Sequence, residues 1–443
     1  MTSTVPTGVA EVLVAGGAPA SLAGTVSETL GPDAPGLLTT DPWRLLDVRA
    51  VRPEQADAFA RRVLRGAVPD DPRRGAALVA WHLRRAAADG HTAVPELLTQ
   101  AALAGQGVAD PWAAVEAACD DGRVLLVPPD GSDEKGGEVP AGGLLASTDL
   151  AYAEDALAEG LLRLQATAGP LQEPPGHDGD ALLRAVAAHG VVLAESPGGS
   201  GVGPGHSALA DLPGVHVTDQ ADLLDVQAAA ALVESLADGE RLVLVGDPAL
   251  LPPAGPGRVL GDAVASGRFP VVSVEPARSP VVDLVSELRA GRLPEVDVAD
   301  RAVVVLPTTD PEVADVVVRV VAESVPRVHG LSADDVVVVT PRRAGVAGVD
   351  ALDAALSARL GPRAEPRARC VHEARGRRWP AVVVVLPAEA AGVLDRALVA
   401  TACSLASRHV CVVAAAGAAL REAVQRVPAR HRTTRLAGLL RSG

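Results

Sequence analysis

From residue 181 onward the chain is paced by short runs rich in β-branched residues. They read VVLA (191–194), VHVT (215–218), RLVLVG (241–246), PVVSV (270–274), RAVVVLP (301–307), DVVVVTP (335–341), AVVVVLP (381–387) and HVCVVAA (409–415). The runs are continuous rather than alternating, and helix-length segments separate them. A strand that is apolar on both faces must be covered on both faces, and parallel pairing needs a long crossover between strands. The pattern predicts an α/β fold with parallel sheets, in two units over 181–295 and 296–443 that meet near residues 290–300.

The preceding block, residues 1–167, is patterned differently. SLAGTVSETLG, EQADAFARRVLRG, GAALVAWHLRRAAADG, DPWAAVEAACDDG and AEDALAEGLLRLQ carry apolar residues at three-to-four spacing, the signature of amphipathic helices. The loop PPDGSDEKGGEVPAGG (128–143) interrupts them, and AGPLQEPPGHDGD (168–180) reads as a linker. Aromatic residues make up only 2% of the chain, so Ala, Val and Leu must build the cores.

The formal net charge of −15 argues against a uniformly basic, nucleic-acid-coating surface, although a local arginine groove is compatible with it. Cys119, Cys370, Cys403 and Cys411 are scattered, with no metal-ligand spacing, and read as free thiols in a reducing compartment. The N-terminal segment has no basic region followed by an apolar core, and the longest apolar runs are too short to span a bilayer. The expectation is a cytoplasmic protein with no membrane partner and no resident metal.

VVLAESPGGSGV (191–202) runs from a strand into a turn of Pro, Gly and Ser, which is how phosphate-binding loops begin. Such loops need a lysine for the phosphates. The only lysine in the chain is Lys135, far upstream in a loop.

Several segments, in order, resemble the long RecD-like DNA helicases of superfamily 1. Residues 21–64, including DPWRL, resemble the family's paired helix-hairpin-helix region, and DPRRGAALVAWHLRRAAADGHTAVP (71–95) continues it. The second hairpin reads Ala50-Val51-Arg52-Pro53 where the family has a Gly-rich turn; Arg52 stays a candidate phosphate contact. RLVLVGDPALLPPAGPGRVLGDAVASG (241–267) resembles the G-D-x-x-Q-L-P segment, with Asp247 kept and Leu250 at the Gln position. VHVTDQADLLD (215–225) resembles the Walker B segment, with Asp219 kept and Gln220 at the position of the general base. ESPGGSGV (195–202) overlies the phosphate loop through Pro197, Gly198 and Gly199. That register puts Gly201 at the Lys position and Val202 at the Mg²⁺-binding hydroxyl position. A second register, SGVGPGHS (200–207), puts His206 at the Lys position.

The resemblance continues through PVVSVEPARSP (270–280), where Arg278 holds a phosphate-sensing position, and DVVVVTPRRAGVAGVDALDAAL (335–356), with Arg342 and Arg343. It extends through CVHEARGRRWPAVVVVLP (370–387), with His372 and Arg375, to VATACSLASRHVCVVA (399–414), where Leu405 takes the place of the catalytic Arg. The family's DNA-contacting elements between phosphate loop and Walker B are cut short, and its barrel insert is missing between Gly361 and Arg369.

The resemblance implies an N-terminal helix-hairpin-helix or winged-helix-like domain followed by two RecA-like parallel-sheet domains, the first truncated. ATP and Mg²⁺ are the family's cofactors. Here the degenerate positions Gly201, Gln220, Leu250 and Leu405 predict that no cofactor is turned over, because a neutral amide cannot accept the attacking water's proton and a leucine cannot stabilise a phosphoryl charge. Pro197, Gly198, Gly199, Asp219, Asp247 and Arg278 are expected as nucleotide-site remnants. Arg52, Arg342, Arg343, His372 and Arg375 are the candidate DNA contacts. Three readings stay open: an inert RecD-like scaffold that binds single-stranded DNA or a protein partner, in a DNA repair or recombination setting; a residual ATP-dependent helicase; and a regulatory subunit that touches only protein.

Overall fold

The computed structural model describes residues 7–127, 142–169, 171, 180–199, 209, 211–274, 278–294 and 301–443. The chain divides into two compact units, one of residues 1–154 with 433–435 and the other of 155–432 with 436–443.

The first unit begins with helices α1 (Thr7–Ala15), α2 (Ala23–Leu30) and α3 (Ala34–Thr40). It continues with α4 (Pro53–Val63), α5 (Pro72–Ala88), α6 (Glu96–Gly105) and α7 (Pro111–Asp120). Their starts are written locally. Pro53, Pro72 and Pro111 stand at first helical positions, where the missing N–H costs nothing, and Asp71 and Asp110 accept from the backbone N–H of Arg73 and Ala113. With few aromatics available, Trp43 and Phe59 are the two largest side chains of a core otherwise made of Ala, Val and Leu. The Asp57 carboxylate fixes this core, accepting from Trp43 Nε1 at 2.9 Å and from Arg74 Nε at 2.8 Å. Burying the Arg74 guanidinium is tolerable only because that carboxylate meets it.

Three short strands, β1 (Ala93–Pro95), β2 (Val124–Val127) and β3 (Leu144–Ser147), form an antiparallel sheet in the order β1-β3-β2. The helical reading of residues 1–167 did not contain this sheet. Runs of three or four residues show no period, and two of these lead directly into helices. Residues 433–435 are tied into the same unit: the Thr433 carbonyl accepts from Thr92 N, and Arg435 N donates to the buried Glu154 carboxylate.

In the second unit the Val-rich runs are strands. β4 (Val191–Glu195), β5 (Val215–Thr218), β6 (Arg241–Gly246) and β7 (Val271–Ser273) form a parallel sheet in the order β5-β6-β4-β7. β8 (Val303–Pro307), β9 (Val336–Thr340), β10 (Ala368–Cys370), β11 (Trp379–Leu386) and β12 (Ala406–Ala414) form a second parallel sheet, ordered β10-β9-β11-β12-β8. A helical N-terminal region followed by parallel α/β sheets is therefore the observed architecture.

Successive valines of the second sheet serve opposite faces, as strand geometry requires. Val337, Val339, Val382 and Val384 pack on one side, and Val336, Val338, Val383 and Val385 on the other. Leu250 and Leu251, which follow β6 of the first sheet, belong to the core on the first of these faces. The two sheets thus share one apolar cluster inside one compact unit. Among the described residues no helix is long and apolar enough to cross a membrane.

Candidate functional site

The parallel register sets Glu195 beside Gly246, so the turns leaving β4 and β6 lie side by side at the carboxyl end of the first sheet. That edge is where ligands bind in open α/β sheets. After β4 the chain passes through the buried Ser196 into the tight turn Pro197–Gly199. Gly198 adopts φ 74° and ψ 11°, a left-handed conformation that costs glycine nothing.

A phosphate loop presents its N–H groups to a ligand. Here the N–H of Gly198 donates to Asp247 Oδ2 at 2.8 Å, and the other oxygen of Asp247 accepts from Ala249 N at 3.0 Å. Arg289, from the last turn of the helix Pro280–Arg289, brings its Nε to 2.9 Å from Asp247 Oδ2. Asp247 is fully buried. Burial pushes its carboxyl above the usual carboxylate range, against the opposing pull of Arg289.

A second carboxylate closes the other side. Asp222 lies in the turn after β5, and its Oδ2 accepts from Arg375 Nη2 at 3.1 Å. The same guanidinium donates to the Asp222 carbonyl at 3.1 Å and to the Pro252 carbonyl at 2.6 Å. Arg375 precedes β11 of the second sheet, so the pair joins the two sheets, and its side chains are only 5% and 9% exposed. Burial raises the Asp222 carboxyl and lowers the Arg375 guanidinium, each opposed by the other's charge.

Gln220 packs at the same junction. Its φ of 55° is the one left-handed conformation of a non-glycine among the described residues, a placement that L side chains adopt at a cost. Across the junction Gly376, at φ 81°, leaves room for it: a Cβ there would stand 3.4 Å from Gln220 Oε1 and from the Leu223 side chain.

Gly198, Gln220, Leu250, Arg375 and Leu405 converge on one cleft with Asp222. The free space between them is about 30 Å³. Among the described residues that space holds one or two waters. Leu250 and Leu405 are 6% and 5% exposed and lie in one apolar cluster, and Leu251 N donates to the buried Thr401 hydroxyl at 2.8 Å. Chemically the cleft offers the Asp222 carboxylate held by Arg375, the Arg377 and Arg378 side chains, two hydroxyls from Thr401 and Ser404, and two leucines, with the buried Asp247 bonded to the Gly198 N–H.

The remaining expected residues lie elsewhere. Asp219 is exposed at the end of β5, and Arg278 is exposed ahead of its helix. The acid that lines the cleft is instead Asp222, and the arginine that meets Asp247 is Arg289. Sequence reading missed both; Asp222 stands only three residues beyond Asp219, and Arg289 is spaced like any helix-end cation. Gly201, Val202 and His206 lie outside the described residues, and Pro197 and Gly199 form the turn around Gly198. Arg342 donates to the Glu389 carbonyl, and Arg343 pairs with Glu373. Exposed His372 has its pKa lowered by partial desolvation and by Arg375, Arg432 and Arg430.

In the first unit Arg52 is exposed, and its backbone N–H donates to the Gln55 side chain at 2.9 Å. With Pro53 next, this hairpin turns an amide inward that a phosphate would use. The Gly16-Gly17 turn after α1 is closed likewise: Gly16, Gly17 and Ala18 donate to the carbonyls of Val12, Val14 and Leu13.

The chain is similar to the crystal structure of the arterivirus nonstructural protein 10 helicase, at 14% identity and a TM-score of 0.29 over 68% of this chain and 73% of that one. It is similar to the complex of that helicase with DNA at 15% identity and a TM-score of 0.29, over 68% and 74%. Residues 7–93 match the family model of the ATP-dependent RecD2 DNA helicase HHH domain.

Proposed function

We propose that this chain is a RecD-like helicase scaffold that does not turn over nucleotide and acts by binding, with single-stranded DNA as the first partner to test. The observation that carries the reading is the cleft. Among the described residues, the groups that would meet a phosphate meet groups of the chain itself: Gly198 N–H and Arg289 meet Asp247, Arg375 meets Asp222, and Arg378 meets the Ala406 carbonyl. Leu250 and Leu405 convert the adjoining walls into hydrophobic core. A motor must open and close such a cleft with each nucleotide, and here its walls are packed together.

The match of residues 7–93 to a DNA-helicase HHH domain favours DNA as the partner. The inward-turned amide of Arg52 and the net charge of −15 favour a second reading, a regulatory subunit that engages protein alone. Titration with labelled single-stranded DNA at two salt concentrations separates them. The scaffold reading expects binding that weakens with salt and weakens further in Arg52→Ala. Absence of DNA binding at low salt would leave the protein-only reading standing.

A further inference from the structure

Behind the second sheet, the helix Val313–Arg319 passes through one π turn, Val320–Ser324, before resuming as Val325–His329. Pro326 accounts for it. Proline has no N–H and its ring presses on the carbonyl four residues back, and a widened turn relieves that contact. The N–H of Val325 accordingly bonds to the Val320 carbonyl, five residues back. Widened turns of this kind occur often at functional sites.

Between this turn and strands β8 and β12 lies a cavity of about 290 Å³. Val304, Leu306, Val320 and Val325 supply apolar walls, and Arg301 and Arg327 are the charged side chains among its described lining residues. At its floor sits His409, 3% exposed, with Nδ1 at 3.0 Å from the Arg301 carbonyl and 3.1 Å from the Ala302 carbonyl. Those carbonyls hold the proton on Nδ1, which leaves Nε2 as an uncommitted acceptor. The His329 ring lies over it at 4.1 Å between centroids. Burial and His329 press the His409 pKa down to about 4, and burial with Arg408 and Arg301 lowers His329. Asp335, on the approach to β9, faces Arg408.

We propose that this cavity binds a small organic anion with a compact apolar body. The anionic head is held by Arg301 and Arg327 with the His329 and His409 rings at the floor, and the body lies against Val304, Leu306 and Val320. The volume fits a ring-sized ligand, and guanidinium pairs suit planar or tetrahedral oxyanions. A bound anion supplies the countercharge that the two imidazoles lack, so affinity rises as pH falls.

The probes are benzoate and phenyl phosphate, with benzyl alcohol as the neutral match, titrated into the full chain by calorimetry and by imidazole proton NMR. At least one anion is expected to bind saturably, at least about tenfold more tightly than benzyl alcohol, and to shift the resonances of His329 and His409. The exposed pair Arg301→Ala with Arg327→Ala should weaken that binding by about tenfold or more without unfolding the chain. Absence of saturable binding overturns the proposal, as does equal binding of benzyl alcohol or binding unchanged in the double variant.

Discussion

Asp222→Ala lowers the stability of the chain by about 3–5 kcal/mol, because it leaves the Arg375 guanidinium buried without its countercharge. Arg375 is 5% exposed, and its remaining partners are backbone carbonyls, which accept hydrogen bonds but carry no full charge. For a unit of this size the change corresponds to a fall in Tm on the order of 10 °C. Removing both charges together, as Asp222→Leu with Arg375→Met, costs much less than either single truncation, since a buried pair replaced by packed apolar side chains is often neutral. Thermal melts of Asp222→Ala, Arg375→Met and the double variant check this. A single Asp222→Ala variant as stable as the parent would mean that the pair does not hold the two sheets together.

The same carboxylates give a pH dependence of definite sign. Burial raises Asp222 and Asp247 above the ordinary value of 3.8, so the folded chain binds these protons more tightly than the unfolded chain does. Their contribution to stability is therefore full below 3.8 and falls as pH rises through the raised values. Replacing both by Asn should flatten that part of the stability profile.

Placing in the cleft the polar residues that the RecD-like resemblance would call for damages the fold. Leu405→Arg places a guanidinium in an apolar cluster beside a cavity of about 30 Å³, too small to accept it. The expected cost is more than about 4 kcal/mol, the scale of an uncompensated buried charge. Leu250→Gln acts in the same direction and more weakly, at about 1–3 kcal/mol for an amide left without partners. Leu405→Met, which conserves volume, should cost less than about 1.5 kcal/mol. Denaturant titration of the three variants gives the comparison. A Leu405→Arg variant that folds as well as the parent would show that the cleft is open and polar, contrary to the geometry.

Much of this architecture was legible in the sequence, for physical reasons. Continuous valine runs such as RLVLVG and AVVVVLP can be satisfied only by parallel strands covered on both faces, and they are the strands β6 and β11. The structure brings Gly198, Gln220, Leu250, Arg375 and Leu405 to one cleft: the first three follow strands of one sheet, and the last two precede strands of the other. What stayed hidden was pairing through space. Arg375 reads as one of several arginines before β11, and only the fold carries it to Asp222. Arg289 displaces the expected Arg278 because the geometry of its helix, not its spacing in the chain, points it at Asp247. The sheet β1-β3-β2 escaped because its strands are shorter than any period.

The most direct measurement is titration of the purified chain with ATP·Mg²⁺, by calorimetry for binding and by phosphate release for turnover. A cleft filled by its own carboxylates and leucines predicts neither micromolar binding nor DNA-stimulated hydrolysis. Saturable binding at micromolar affinity, or phosphate release above the uncatalysed rate, would contradict it: the Asp247 and Asp222 contacts would then have to open for nucleotide, and the chain would be a motor that works without a lysine in its phosphate loop.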